Sequence, residues 1–286
     1  MNVPIPNSKI IVVVGDIHSE VPLAVEGLNR IEGEFGAIDQ VFSVGDVGLF
    51  LEASDWRFLT GPKKHRDPES SSKIAVAWAE WRWPFSMIGG NHEPYQRLRA
   101  FDAAHFGGKL AYTNGGVLDH GIPGLQVYGL SGIHHPGHMD FPGADSWKPS
   151  RPKSWDDLVN LVATNKAKLQ RLTYYKQAEI DKLLTLPKSP DLLLLHDWPL
   201  PVPGTDPSEP RPEQLLVDKL SPGWVCSGHR HTHIQTKIGR SHFLALNIIR
   251  QRAAGNPHII APGWAAVFVW DGRCLTKRAS WPALTR

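Results

Sequence analysis

Short, mainly apolar runs stopped by glycine or a polar residue recur at residues 10–14, 40–44, 84–88, 192–195 and 224–227. Their length and their β-branched and aromatic content predict strands buried on both faces, because a strand with one wet face alternates apolar and polar positions. Helical spacing fills the gaps. Leu23, Leu28 and Ile31 share one side of a helix starting at Pro22, and residues 74–83, 95–101, 155–186 and 215–220 are also expected to be helical. Strand, loop, helix, strand is the βαβ pattern, which predicts parallel pairing. Residues 116–118 and 125–128 suggest a hairpin, and 234–238, 242–246 and 265–270 read as antiparallel strands. Residues 56–72 read as a polar surface loop, 131–153 as a long irregular insertion, and 201–212 as a proline-rich loop.

Composition narrows this. With 286 residues and 41% hydrophobic content, the chain can bury a large core, and one α/β domain over 1–286 is expected. A formal charge of +3 with 14 neutral histidines permits an anionic substrate without demanding nucleic acid. Only Cys226 and Cys274 are present, too few for a disulfide framework or a four-thiolate zinc site, which fits a reducing compartment. The apolar run near the N-terminus is five residues long without a basic flank, and no run is long enough to span a bilayer. A soluble, cytoplasmic protein is expected, with no membrane association and no obligate protein partner.

The strand ends carry the candidate chemistry. Residues 10–14 run into Gly15-Asp16-Ile17-His18, and the second run ends in Gly45-Asp46. The third ends in Gly89-Gly90-Asn91-His92-Glu93, the fourth in His196-Asp197-Trp198-Pro199, and the fifth in Gly228-His229-Arg230-His231. Any one of these alone reads as a hydrogen-bonded loop. Together they bring Asp16, His18, Asp46, Asn91, His92, His196, His229 and His231 to the ends of five strands, where function collects in open sheets. Residues two apart at a strand end point the same way, so Asp16 and His18 can face one ion. Carboxylate, amide and imidazole donors without thiolate suit two divalent ions of manganese, iron or zinc. Asp46 is the natural bridge between them.

In content and order these motifs, from Gly15 to His231, resemble those of the calcineurin-like metallophosphoesterase superfamily. The resemblance implies an α/β fold of the metallophosphoesterase type: a four-layer double-ψ β-sandwich, two mixed sheets flanked by helices. It also implies that Asp16, His18 and His231 hold one ion, that Asn91, His196 and His229 hold the other, that Asp46 joins them, and that His92 is the catalytic imidazole. Two such ions make hydroxide available near neutral pH and clamp the phosphoryl oxygens that gain charge during attack.

Residues 88–93, Gly129-Leu130-Ser131-Gly132-Ile133, His196-Asp197-Trp198-Pro199 and Phe243-Leu244-Ala245-Leu246 are similar to the RNA lariat debranching branch of that superfamily. The insertion at about 131–175 falls where that branch keeps a substrate-recognition loop, and 171–183 looks like the helix that follows it. This implies a phosphodiesterase with a phosphoester substrate in RNA or a nucleotide. His134, Arg171, Tyr174 and Tyr175 become candidate substrate contacts, since such side chains meet phosphates and stack on bases. The chain departs from the branch in having His18 where a cysteine is usual, and in stopping soon after Trp270 without a carboxyl-terminal domain. It lacks the phosphate-binding arginines of the serine/threonine phosphatases, and Glu93 differs from the aspartate usual in cyclic-nucleotide phosphodiesterases. The alternatives are a phosphomonoesterase, a dinucleoside polyphosphate hydrolase, or a non-catalytic binding scaffold of the same fold.

Overall fold

A computed structural model describes residues 8–60, 66–99, 110–139, 152, 154–164, 167–199, 211–250 and 259–281. The chain starts with four parallel strands, β1 (Lys9–Val14), β2 (Gln40–Ser43), β3 (Phe85–Ile88) and β4 (Leu110–Thr113). A second sheet follows, made of β5 (Gly115–Val117), β6 (Val127–Leu130), β7 (Leu192–Leu195), β8 (Trp224–Ser227), β9 (Ile234–Ile238) and β10 (Ser241–Ala245), in the order β5-β6-β7-β8-β10-β9. β11 (Ala265–Trp270) and β12 (Leu275–Ser280) then return to the first sheet, which reads β12-β11-β1-β2-β3-β4. Both sheets are mixed: β11 lies antiparallel to β1, β5 to β6 and β9 to β10.

Alternation along the strands explains the layering. Ile11 and Val13 of β1 join Phe42, Ile88, Val127, Leu192, Leu194, Cys226 and Leu244 in the core between the sheets. Val12 and Val14 face the other way, toward α1 (Val21–Phe35) and α2 (Ser71–Ala79), with Leu28, Ile31, Trp78 and Trp264. The outer face of the second sheet packs Leu193, Leu195 and Val225 on α5 (Gln177–Leu184) and α6 (Pro212–Leu220), through Ile180, Leu183, Leu216 and Leu220. The result is two mixed sheets between two layers of helix. The short apolar runs lack alternation because neither face of their strands meets water.

Some elements differ from expectation. Residues 155–186 are not one helix: α4 (Trp155–Ala163) ends, a 3-10 turn spans Leu169–Thr173, and α5 begins at Gln177. The break lets Tyr174 pair as an isolated parallel bridge with Ile133 and turns Tyr175 inward. Residues 56–72 are not wholly a solvated loop, because a 3-10 turn at Ala53–Phe58 buries Trp56 and Phe58, with Trp56 stacked on Phe50 at 4.5 Å. β10 runs parallel to β8 as well as antiparallel to β9. β4 and β12 were not expected. The helix expected at 95–101 is present as α3 (Tyr95–Arg99). The basic stretch at 61–65, most of the insertion after Met139, and residues 200–210 lie outside the described residues. No helix among the described residues is long and apolar enough to cross a membrane.

Candidate metal centre

All five motifs leave the carboxyl ends of parallel strands, three from the first sheet (β1, β2, β3) and two from the second (β7, β8). Backbone hydrogen bonds tie the loops together. Ile17 and His18 N–H both donate to the Asp46 carbonyl, at 3.0 and 2.8 Å, and Gly228 N–H donates to the His196 carbonyl at 3.2 Å. The carboxylates accept from neighbouring loops too, His92 N–H reaching Asp46 Oδ1 at 2.6 Å and His229 N–H reaching Asp16 Oδ2 at 3.1 Å.

Asp16 and His18 converge by a different route from strand alternation, since β1 already ends at Val14. Tight turns aim the side chains: His18, Asp46, His229 and His231 all adopt left-handed φ, at 47°, 49°, 67° and 49°. Among the described residues only seven non-glycine positions have positive φ. Four of them are candidate ligands, so backbone strain concentrates here, as it does at functional sites. Two glycines are required by close approach. A Cβ on Gly90 would lie 2.1 Å from Asp46 Oδ1, and one on Gly228 would lie 2.2 Å from Asp16 Oδ1.

The predicted donors gather in two groups. In the first, His231 Nε2 lies 3.0 Å from Asp16 Oδ2 and 3.4 Å from His18 Nε2. In the second, His196 Nε2 lies 3.0 Å from Asn91 Oδ1 and 3.4 Å from Asp46 Oδ2, and the His196 and His229 rings are 5.0 Å apart. Asp46 stands between them, with Oδ2 also 3.6 Å from His18 Nε2. That oxygen is buried and, among the described residues, accepts no hydrogen bond. Donors about 2.1 Å from one cation, set at right angles, stand about 3 Å apart. The donor spacings and the unused Asp46 oxygen therefore fit divalent metal ions. His92 faces the same hollow, its ring 5.2 Å from that of His18.

Charge and burial act in opposition here. Burial would raise the Asp46 carboxyl, but the His196 and His18 imidazoles hold it well below the usual range. Burial would lower His196, but Asp46 and Asp16 outweigh it and raise that imidazole to about 10. His229 is lowered to about 4 by burial and by the neighbouring His196. His196 Nδ1 sits 2.9 Å from the Val44 carbonyl, which fixes the ring so that Nε2 faces the donors.

Sequence reasoning missed several supports. Glu93 is buried, and its carboxylate accepts N–H bonds from Val47 at 2.6 Å and Gly48 at 3.1 Å, anchoring the loop that carries Asp46. The Thr60 hydroxyl donates to the Asn91 carbonyl. Asp197 is paired with Arg211. A glutamate directly after the histidine of the third motif was a visible signal for Glu93; the partners of Asp197 lie too far along the chain to have given one.

The candidate substrate contacts divide. His134, Arg171 and Tyr174 are half-buried; Tyr174 packs on His135 at 4.5 Å and on His138 at 5.4 Å. Tyr175 does not belong with them: it is 2% exposed, and its hydroxyl donates to Glu213 Oε1 at 2.6 Å. The insertion is rooted beside the third motif, because Gly132 N–H donates to the Gly89 carbonyl at 2.8 Å.

A four-layer sandwich with imidazole, carboxylate and amide donors gathered where loops of both sheets meet defines a hydrolase built around divalent metal ions. Residues 10–233 match the family described as calcineurin-like phosphoesterase, and the chain belongs to that family of phosphoester-hydrolysing enzymes. It is 25% identical over 264 residues to the lariat debranching enzyme of Entamoeba histolytica, covering 85% of this chain and 70% of that enzyme. It is 26% identical over 219 residues to the lariat debranching enzyme of Arabidopsis thaliana, covering 68% of this chain and 47% of the other. The chain thus matches about half the length of the Arabidopsis relative. One solved structure aligns with a TM-score of 0.54 at 12% identity, over 96% of this chain and 99% of that one, a likeness of fold.

Proposed function

We propose that the protein is a metal-dependent phosphodiesterase that cleaves a phosphodiester in RNA, with Asp16, His18 and His231 holding one ion, Asn91, His196 and His229 a second, and Asp46 shared between them. The observation that carries this is the buried Asp46 Oδ2, which accepts no hydrogen bond among the described residues and is flanked by His196 and His18 at 3.4 and 3.6 Å. Donors of oxygen and nitrogen without thiolate favour manganese, iron or zinc. When bound, such a pair supplies a water of lowered pKa and positive charge for the phosphoryl oxygens.

The chain's own groups do the rest. Asn91 offers a neutral oxygen and leaves the positive charge of the site intact. His92, anchored through its backbone to Asp46, presents its ring beside His18, where it can donate a proton to the leaving oxygen. Glu93 keeps the Asp46 loop from drifting. RNA is favoured as substrate by the names of the relatives and by His134, Arg171 and Tyr174 on an insertion of residues 131–175 rooted at Gly89. The unpaired Cys226 and Cys274 favour a reducing compartment, the cytoplasm.

The test gives the manganese-loaded protein a 2′,5′-branched RNA beside a linear one, and bis-(p-nitrophenyl) phosphate beside p-nitrophenyl phosphate. Faster cleavage of the branched RNA and of the diester is expected. His92→Ala should lower turnover by about 10²–10⁴-fold with metal content unchanged. A preference for the monoester would overturn the diesterase reading.

A further inference from the structure

Behind the His196 and His229 side of the centre runs a chain of buried polar groups that the proposed chemistry does not use. The Tyr175 hydroxyl donates to Glu213 Oε1 at 2.6 Å, and the other oxygen of Glu213 lies 3.5 Å from Arg211 Nε. Arg211 Nη2 then donates to Asp197 Oδ2 at 2.5 Å. The Asp197 carboxylate also accepts the Trp198 N–H at 2.8 Å and stands 3.5 Å from Arg230 Nη2. Tyr175, Glu213 and Asp197 are all buried.

This chain ends on the metal side. Asp197 follows His196 directly, and its charge acts on His229. Its backbone carbonyl accepts from Ser227 Oγ at 3.2 Å, while the indole N–H of Trp198 donates to the Gly228 carbonyl at 2.8 Å, so the turn leaving His196 and the peptide leading into His229 are fixed from one place. At its other end Tyr175 closes the insertion and packs beneath the His134 ring at 6.1 Å.

Apolar side chains would hold α6 on the sheet at lower cost than two buried carboxylates and a guanidinium. A buried ionic chain is therefore poorly explained by stability alone, whereas ligand histidines need partners that fix their orientation. We propose that Glu213 and Tyr175 are positioning residues for the His196 and His229 half of the metal centre, acting through Arg211 and Asp197. The substrate-facing insertion and the metal site thereby share one rigid connection. This inference rests on the two-ion reading above.

The test titrates the metal-stripped full chain with Mn²⁺ alone by calorimetry, and melts the same metal-free proteins. Wild type is expected to bind two equivalents. Glu213→Gln and the milder Tyr175→Phe should each weaken one equivalent by about tenfold or more, leaving the other within about twofold. Wild-type affinities in both variants would overturn the proposal, as would equal weakening of both equivalents in step with a lower melting temperature. Wild type that binds fewer than two ions would instead reject the two-ion reading and this proposal with it.

Discussion

In the proposed centre a metal ion would have to displace a proton from His196. Its imidazole is raised to about 10 in the metal-free protein, chiefly by Asp46 acting against burial, whereas His229, lowered to about 4, is already neutral at pH 7. Only a neutral ring coordinates, so binding of Mn²⁺ at pH 7 should release a proton from His196, and affinity should rise with pH by about tenfold per unit for each proton released. Calorimetry in buffers of different ionisation enthalpy reads that release, and its absence would count against His196 as a ligand. The donors themselves were legible from the sequence because most sit beside a glycine at the end of an apolar run. Tyr175 was not: its side chain type is that of Tyr174, and what separates them is a carboxylate 38 positions away, Glu213, that draws one hydroxyl inward. The left-handed turns at His18 and His231 were equally hidden, since positive φ stays uncommon even for histidine, which is enriched there.

The strands that deliver the candidate ligands owe their position to a core shared by both sheets. Leu194 is wholly buried there, opposite Ile88 and beside Cys226, while Leu215 on α6 is 39% exposed. Leu194→Ala should cost about 2–5 kcal/mol of stability, and Leu215→Ala about 0.5 kcal/mol, in urea denaturation. Comparable losses would mean that the sheets do not pack through this layer. Strands of this kind were readable because a run buried on both sides is apolar throughout. β12 escaped notice because it is an edge strand with the sequence Leu-Thr-Lys-Arg-Ala-Ser, largely turned to solvent, and β4 because its residues are mostly half-exposed. The expected helix over 155–186 failed at Leu169–Thr173, where pairing of Tyr174 with Ile133 outweighs helical propensity.

At the scale of the molecule, the centre is a joint between two sheets. Asp16, Asp46 and Asn91 come from one, and His196, His229 and His231 from the other, so any ion held by both stiffens the whole sandwich. Saturating one site at a hundred times its Kd adds about 2.7 kcal/mol, which for a chain of this size raises Tm by about 4–5 °C. Scanning fluorimetry with Mn²⁺ and then a chelator should show the rise and its reversal, and a Tm indifferent to both would argue against a bridging metal. The insertion enters and leaves this body at one spot. Ile133 N–H donates to the Thr173 carbonyl at 2.9 Å, and Ile133 itself lies alongside Tyr174. A segment whose two ends already touch is a cassette: natural variation can lengthen, shorten or exchange what lies between them while the sandwich underneath stays untouched.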